Sequence, residues 1–225
     1  MKYLPLLTLM IAIISCSEQK TTSGVLVSNA DELNQAISNA EPGTEIVMAN
    51  GSWENVQIRF VAEGTKEQPV TIRAETPGKV IVNGQSDLKL GGKYLVVEGL
   101  YFKNGASPSN AVIEYAINED TLANHSRVTN CVIKDFNKAQ RNKQDLWVRF
   151  RGRENQLDHC YLAGKSNRGP TIRVDIEGNQ SIKNHHKITN NHFGPRSPKG
   201  EPRPETVQLG NSGTQMSPSY TSVDS

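Results

Sequence analysis

Apolar and polar positions alternate along this chain in short runs, and turn-forming residues separate the runs. Period-two alternation predicts strands. The first are Glu45-Ile46-Val47-Met48, Pro69-Val70-Thr71-Ile72-Arg73-Ala74 and Lys79-Val80-Ile81-Val82-Asn83-Gly84. One segment differs. In residues 28–40, Leu33 and Ile37 fall on one helical face, Ser28 or Asn29 can cap the start, and Pro42-Gly43 ends the run. That predicts the chain's one good helix.

From residue 97 the pattern becomes a repeat. Val97-Glu98-Gly99-Leu100-Tyr101-Phe102 matches Val128-Thr129-Asn130-Cys131-Val132-Ile133. Both match Leu157-Asp158-His159-Cys160-Tyr161-Leu162 and Ile188-Thr189-Asn190-Asn191-His192-Phe193. The steps are 31, 29 and 31 residues, and fixed periods of this size predict a solenoid. The third position is Gly99, Asn130, His159 or Asn190, residue types that tolerate a left-handed backbone. A bend there points the first, fourth and sixth positions inward, as columns of stacked side chains. Asn191 falls in such a column and needs a buried hydrogen-bond partner.

A second strand follows each first one. Ile113, Val148, Ile172 and Val207 form its inward column; Glu114, Arg149, Arg173 and Gln208 form an outward column beside it. Two or more strands per turn, a period near 30 and no long helix predict an all-β chain. The expected architecture is a right-handed parallel β-helix with a short N-terminal capping helix. An antiparallel sandwich is the competing architecture, but it needs tight hairpin turns, and the connections here are long.

Composition adds little until it is divided. The 225 residues are 36% hydrophobic and carry a net charge of +2. Residues 141–203 hold 13 Lys or Arg against 6 Asp or Glu, leaving 12 against 17 elsewhere. A basic region on a near-neutral chain suits a polyanionic ligand, against the alternative of a solvated basic surface.

At the N-terminus, Lys2 precedes the apolar run Leu4 to Ile14, which is too short to span a bilayer but suits a signal segment. It ends Ile13-Ile14-Ser15-Cys16, which resembles a bacterial lipobox. The expected organisation is a lipoprotein signal at 1–15, a lipid-bearing Cys16 with a polar tether over 16–23, and the β-helix over 24–225. An ordinary secreted signal is the alternative. Lipidation implies a bacterial envelope location, anchored in the outer membrane or facing the periplasm. Cys131 and Cys160 occupy equivalent places in successive repeats, about 4.8 Å apart as neighbouring strands are. Disulfide Cβ atoms sit nearer, at about 3.8 Å, so the two are read as a buried thiol pair.

The loop Gly164-Lys165-Ser166-Asn167-Arg168-Gly169-Pro170 joins two predicted strands and runs into Thr171 and Arg173. Two cations, an amide and two glycines suit a carboxylate or sulfate ligand. The outward Arg149/Arg173 pair needs anions nearby, from a neighbouring face or from a ligand. Trp147 and Tyr161 are candidates for packing on sugar rings, or for the core. The five histidines form no metal set, and no zinc spacing, phosphate loop or Ser/His/Asp order stands out. No catalytic carboxylate pair can be named.

Three stretches carry a resemblance: Asp158-His159-Cys160-Tyr161-Leu162, Gly164 to Thr171, and Asn191-His192-Phe193-Gly194-Pro195-Arg196. With Glu75 to Val80, Tyr94 to Phe102 and Glu205-Thr206-Val207-Gln208-Leu209-Gly210, the chain resembles polysaccharide lyase family six over most of residues 24–225. That family comprises alginate lyases and chondroitinase B, and Asn167 to Thr171 leans toward the alginate-lyase branch. The resemblance implies β-elimination across a 4-linked uronate, with a Lys as base and an Arg as acid. It also implies a calcium ion held on the sugar carboxylate by an Asn and two Glu. The two Glu and the Lys are expected one rung after Glu205–Gly210, and the Arg one rung further.

This chain is therefore expected to end before the family's catalytic groups, as a truncated form inactive alone. A natural short form paired with a partner chain is the alternative. Pro202 holds the place of the calcium Asn, so calcium use stays open; Arg203 is the substitute the sequence offers. No catalytic residue is carried over. The expected substrate-binding set is Arg149, Lys165, Asn167, Arg168, Arg173, Arg196 and Gln208. The expected ligand is an anionic polysaccharide, alginate before a glycosaminoglycan, bound by a monomer with no role for nucleic acid. A non-catalytic glycan-binding lipoprotein is the second reading. A β-helix glycoside hydrolase is the third, but it needs paired carboxylates where the outward column is cationic.

Overall fold

The computed structural model describes residues 24–176, 184–197, 206–210 and 222–223. The expected lipoprotein signal, Cys16, the tether, Pro202 and Arg203 lie outside the described residues.

The strands coil through three parallel sheets, visited in the order A, B, C in each turn. Sheet A holds Val25–Val27, Glu45–Met48, Val70–Ala74, Leu95–Glu98, Arg127–Thr129, Gln156–Asp158, Lys187–Thr189 and Ser222–Val223. Sheet B runs from Gly51–Glu54 through Val80–Gln85, Tyr101–Ala106, Val132–Lys134 and Tyr161–Ala163 to His192–Phe193. Sheet C runs from Gln57–Glu63 through Asp87–Lys93, Ala111–Glu114, Leu146–Phe150 and Ile172–Val174 to Val207–Leu209, with Ala123–Asn124 beside Asp87–Lys93. The chain is thus a right-handed parallel β-helix, and the antiparallel sandwich is excluded.

The A-to-B bend sits where the repeat places it. Gly99, Asn130, His159 and Asn190 have φ of 78°, 53°, 53° and 54°. The registers are those of the repeat: Val97 faces Val128, Val128 faces Leu157, and Leu157 faces Ile188. Continuing the column, Ile188 faces Val223. The inward columns form the core, with Val97, Leu100, Phe102, Val128, Ile133, Leu157, Leu162 and Ile188 all buried. Asn191 closes its column with hydrogen bonds. Its Oδ1 accepts from Cys160 N at 3.0 Å, and its Nδ2 donates to Leu157 O at 2.9 Å. Cys131 and Cys160 are buried free thiols.

The helix is Ala30–Ser38, shorter than the predicted 28–40. Asn29 caps it, its Oδ1 accepting from Glu32 N at 3.0 Å, and Glu32 reaches back to Ser28 N at 2.7 Å. Its Leu33 and Ile37 pack onto the first turn of the solenoid and close that end.

Candidate functional site

Sheet C presents one continuous outward column. Arg59 faces Lys89, Lys89 faces Glu114, Glu114 faces Arg149, Arg149 faces Arg173, and Arg173 faces Gln208. Parallel in-register pairing forces this stacking, so like charges meet unless anions separate them.

The protein supplies those anions. Glu114 accepts from Arg149 Nη1 at 3.0 Å and lies 3.2 Å from Lys89 Nζ. Asp175, two residues beyond Arg173 and so on the same face of its strand, takes both arginines. Its Oδ2 accepts from Arg149 Nε at 2.9 Å, and its Oδ1 accepts from Arg173 Nε at 2.8 Å. Arg151 extends the network to Glu119. Burial pulls the Arg149 guanidinium down, but Asp175 and Glu114 outweigh it and hold it above its ordinary value. The arginine pair was expected to draw its anions from a neighbouring face or from a ligand; Glu114 and Asp175 supply them instead from the arginines' own face.

The second cluster lies on the B-to-C side. The loop 164–170 is fastened to the loop below it by Asn167, which is 0% exposed. Its Oδ1 accepts from Lys138 N at 2.8 Å, and its Nδ2 donates to Lys138 O at 3.1 Å and Gln140 O at 2.9 Å. Lys165 is 1% exposed and donates to the loop's own carbonyls, Asn167 O at 2.9 Å and Arg168 O at 3.5 Å. Burial, with Arg196 adding to it against Asp145, lowers Lys165 to about 7. Arg196 reaches over the loop, donating to Asn167 O at 3.1 Å and Thr171 Oγ1 at 3.4 Å. Arg168 points its exposed side chain away while its backbone pairs with Arg141 O and Asp145 N.

The seven expected binding residues thus fall into two groups. Arg149, Arg173 and Gln208 share the sheet C face. Lys165, Asn167, Arg168 and Arg196 share the adjoining loop, where Lys165 and Asn167 turn inward and hold it together.

Asp175 and Asp145 were not singled out from the sequence; Glu114 stands in the outward column that the repeat predicts. Asp175 was detectable, because Arg173-Val174-Asp175 alternates as an exposed strand face does. Asp145 was not, because it lies in a loop with no period. It is fully buried, 3.6 Å from Lys138 Nζ, and burial raises it to about 7 against the pull of Lys138 and Lys165.

Trp147 belongs to the core: it is 0% exposed, and its Nε1 donates to Phe136 O at 2.9 Å. Packing on a sugar is therefore closed to it. Tyr161 is exposed and stacks on His192 at 5.0 Å between ring centroids. Among the described residues no three His, Cys, Asp or Glu converge on a point that could hold a metal ion. The positions expected for the calcium set lie outside the described residues, and no step below is routed through calcium.

Comparison with known proteins bears on what this face does. The family model for chondroitinase B matches residues 27–225. A search of curated proteins returns no match. Among solved structures, the PL6 family alginate lyase AlyGC is 42% identical with a TM-score of 0.85, covering 88% of this chain and 27% of that one. A mannuronic acid specific family 6 lyase from human gut microbiota is 30% identical, with a TM-score of 0.76 and coverage of 84% and 44%. The PL6 polysaccharide lyase Pedsa3628 from Pseudopedobacter saltans is 30% identical, with a TM-score of 0.66 and coverage of 76% and 46%. The chain therefore spans between about a quarter and a half of the length of these relatives.

Proposed function

The chain belongs to polysaccharide lyase family six, the family of chondroitinase B, and from that membership we propose that its described rungs form one wall of a cleft that holds a uronate polyanion for β-elimination. Alginate is the substrate we favour. The observation that carries this choice is the 42% identity to AlyGC, described as an alginate lyase.

The chemistry sets what such a wall must do. Elimination removes the proton at C5 of a uronate and expels the oxygen at C4. The proton is acidic enough only if the sugar carboxylate is neutralised. A polymer carrying one carboxylate per sugar must also be held in register along the cleft. Cations fixed by a rigid solenoid do this without ordering cost at binding. Arg168, Arg173, Arg196 and Gln208 suit that role by position. Arg149, Lys165 and Asn167 support it from below, by fixing Asp175 and the loop. The base and acid that the resemblance implies are assigned to none of the described residues.

The test uses the full chain. In affinity electrophoresis it is expected to be retarded by alginate, with the retardation lost at high salt. The ultraviolet absorbance of unsaturated sugar ends is expected not to rise. Turnover would place an elimination base within these rungs and overturn the reading of them as a binding wall. Absence of both binding and turnover would overturn it as well.

We also infer that Cys16 carries a lipid and anchors the protein in the bacterial envelope as a monomer. The run Leu4 to Ile14 followed by Ser15-Cys16 supports this. Among the described residues no helix is long and apolar enough to cross a membrane. Incorporation of labelled palmitate, lost in Cys16→Ser, tests the anchor, and light scattering tests the monomer.

A further inference from the structure

An open groove lies one rung below the loop 164–170, at the corner where the chain leaves sheet B for sheet C. Its volume is about 420 Å³, within the range of small-ligand pockets. The ends of Val80–Gln85 and Tyr101–Ala106 form its base, with Gln85 in register with Ala106. The loop after Val132–Lys134 forms its rim, through Lys138, Gln140 and Lys143. None of these residues stands in the expected binding set.

The lining combines three kinds of surface. Ala106 and Pro108 present carbon, Gln85 and Gln140 carry amides, Lys138 and Lys143 carry charge, and no carboxylate lines the space. A uronate sugar has the matching set of ring C–H groups, hydroxyls and a carboxylate. The rim is held in place before any ligand arrives. Asn167 accepts from Lys138 N and donates to Lys138 O and Gln140 O. Lys143 N donates to Gln140 O at 3.1 Å, closing a turn that brings Lys143 back to the groove. Lys138 Nζ donates to Ser109 O at 2.6 Å and has two further protons. Its acidic neighbour Asp145 is 3.6 Å away and outside the lining. Lys143 is exposed and makes no ion pair among the described residues.

The loop above decides what the groove can share. Gln144, next to Lys143, bridges in the parallel sense to Arg168. Lys143 and Arg168 therefore belong to neighbouring rungs, which are about 4.8 Å apart. A polyanion lying on Arg168 continues past Lys143. We propose that the groove is a subsite for one uronate unit of the polymer. Lys143 and Lys138 take the sugar carboxylate, Gln85 and Gln140 take hydroxyls, and Pro108 meets the C–H face of the ring. This deepens the cleft reading and rests on it. The subsite extends the wall below Arg168, away from the rungs where the resemblance expects the base and the acid, so its unit is held and not cleaved.

Lysine acylation of the full chain, read by mass spectrometry, tests this in buffer, in alginate and in carboxyl-reduced alginate. Saturating alginate is expected to slow the reaction of Lys143 several-fold and to leave exposed Lys66, at the C-to-A corner, unchanged. Carboxyl-reduced alginate is expected to protect neither. Lys143→Gln, at an exposed position, is expected to keep the wild-type Tm and to weaken binding of a hexauronate about 3–5-fold. Retardation by alginate with Lys143 unprotected, or with Lys143→Gln binding as wild type does, leaves the wall at Arg168 standing and overturns this subsite alone. No retardation at all removes the cleft reading and the subsite with it. Protection by the reduced polymer, or of Lys66 to the same degree, means contact without carboxylate recognition or without a site, and overturns the subsite as well.

Discussion

Arg149 and Arg173 stand directly over one another in sheet C, and a single carboxyl group, Asp175, accepts from the Nε of both, at 2.9 and 2.8 Å. Two cations in adjacent rungs are therefore held by the protein's own acid. The arginine column is a self-compensated ladder, with Glu114 as its other anion.

Asp175→Asn keeps the shape and removes the charge that Arg149, Arg151 and Arg173 share. The side chains are partly buried, so the loss is expected to be about 1–3 kcal/mol in urea unfolding. Removing one arginine at the same time should recover part of it. Asp175→Asn combined with Arg173→Gln is thus expected to be less destabilised than the sum of the two singles. Simple additivity would show that the three groups do not act as a unit.

The bend residues can be tested one at a time. Asn130 sits at φ 53°, which a β-branched residue adopts only under strain. Asn130→Gly is expected to change stability by no more than about 1 kcal/mol, while Asn130→Val is expected to cost about 1–3 kcal/mol. Equal stability of the two variants would show that the bend is not what selects the residue.

Much of this was legible because the solenoid repeats. Gly99, Asn130, His159 and Asn190 recur at fixed steps, and the same steps set the columns that Val97, Val128, Leu157 and Ile188 fill. The strands Gln57–Glu63 and Asp87–Lys93 were missed as members of sheet C. The first shows clear alternation, but the second ends in Gly91-Gly92, and neither matches the later repeat. The loop misled in another way. Lys165 and Asn167 are polar, and polarity alone predicts exposure. Their burial arises from closure of one loop over another, through Asn167 to Lys138 and Gln140, and no periodicity records that.

Lys165 and Asp145 predict an unusual pH dependence. Asp145 is raised to about 7 when folded, so the folded state holds an extra proton between the ordinary carboxylate range and 7. Stability from this group is present at low pH and lost as pH rises to 7. Lys165 is lowered to about 7, so between 7 and the ordinary lysine range the unfolded state holds the extra proton. Stability from that group is lost as pH falls to 7. Together they place a minimum near pH 7, measured by urea unfolding against pH. Asp145→Asn is expected to remove the acid limb of the curve and Lys165→Met the alkaline limb. A flat difference between wild type and both variants would show that neither group titrates in that range.

Arg168 and Asn167 are neighbours in one loop with opposite duties, and this separates binding from scaffolding. The Arg168 side chain is exposed, and the loop's hydrogen bonds at that position use its backbone. Arg168→Ala is therefore expected to leave the Tm within about 1–2 °C of wild type, since surface changes of this kind alter stability by about 0.5 kcal/mol or less. It should nevertheless weaken retardation by alginate and flatten its salt dependence, because one cation fewer faces the polymer. Asn167→Ala leaves the loop below without partners for Lys138 N, Lys138 O and Gln140 O. Each buried group left unpaired costs about 1–3 kcal/mol, so a loss of several degrees in Tm is expected. Binding should then weaken only as the loop disorders, and it should recover at lower temperature, which the loss of Arg168 does not allow. If Arg168→Ala binds alginate as wild type does, the loop is scaffold throughout, and the polymer contacts must be sought on Arg173 and Gln208.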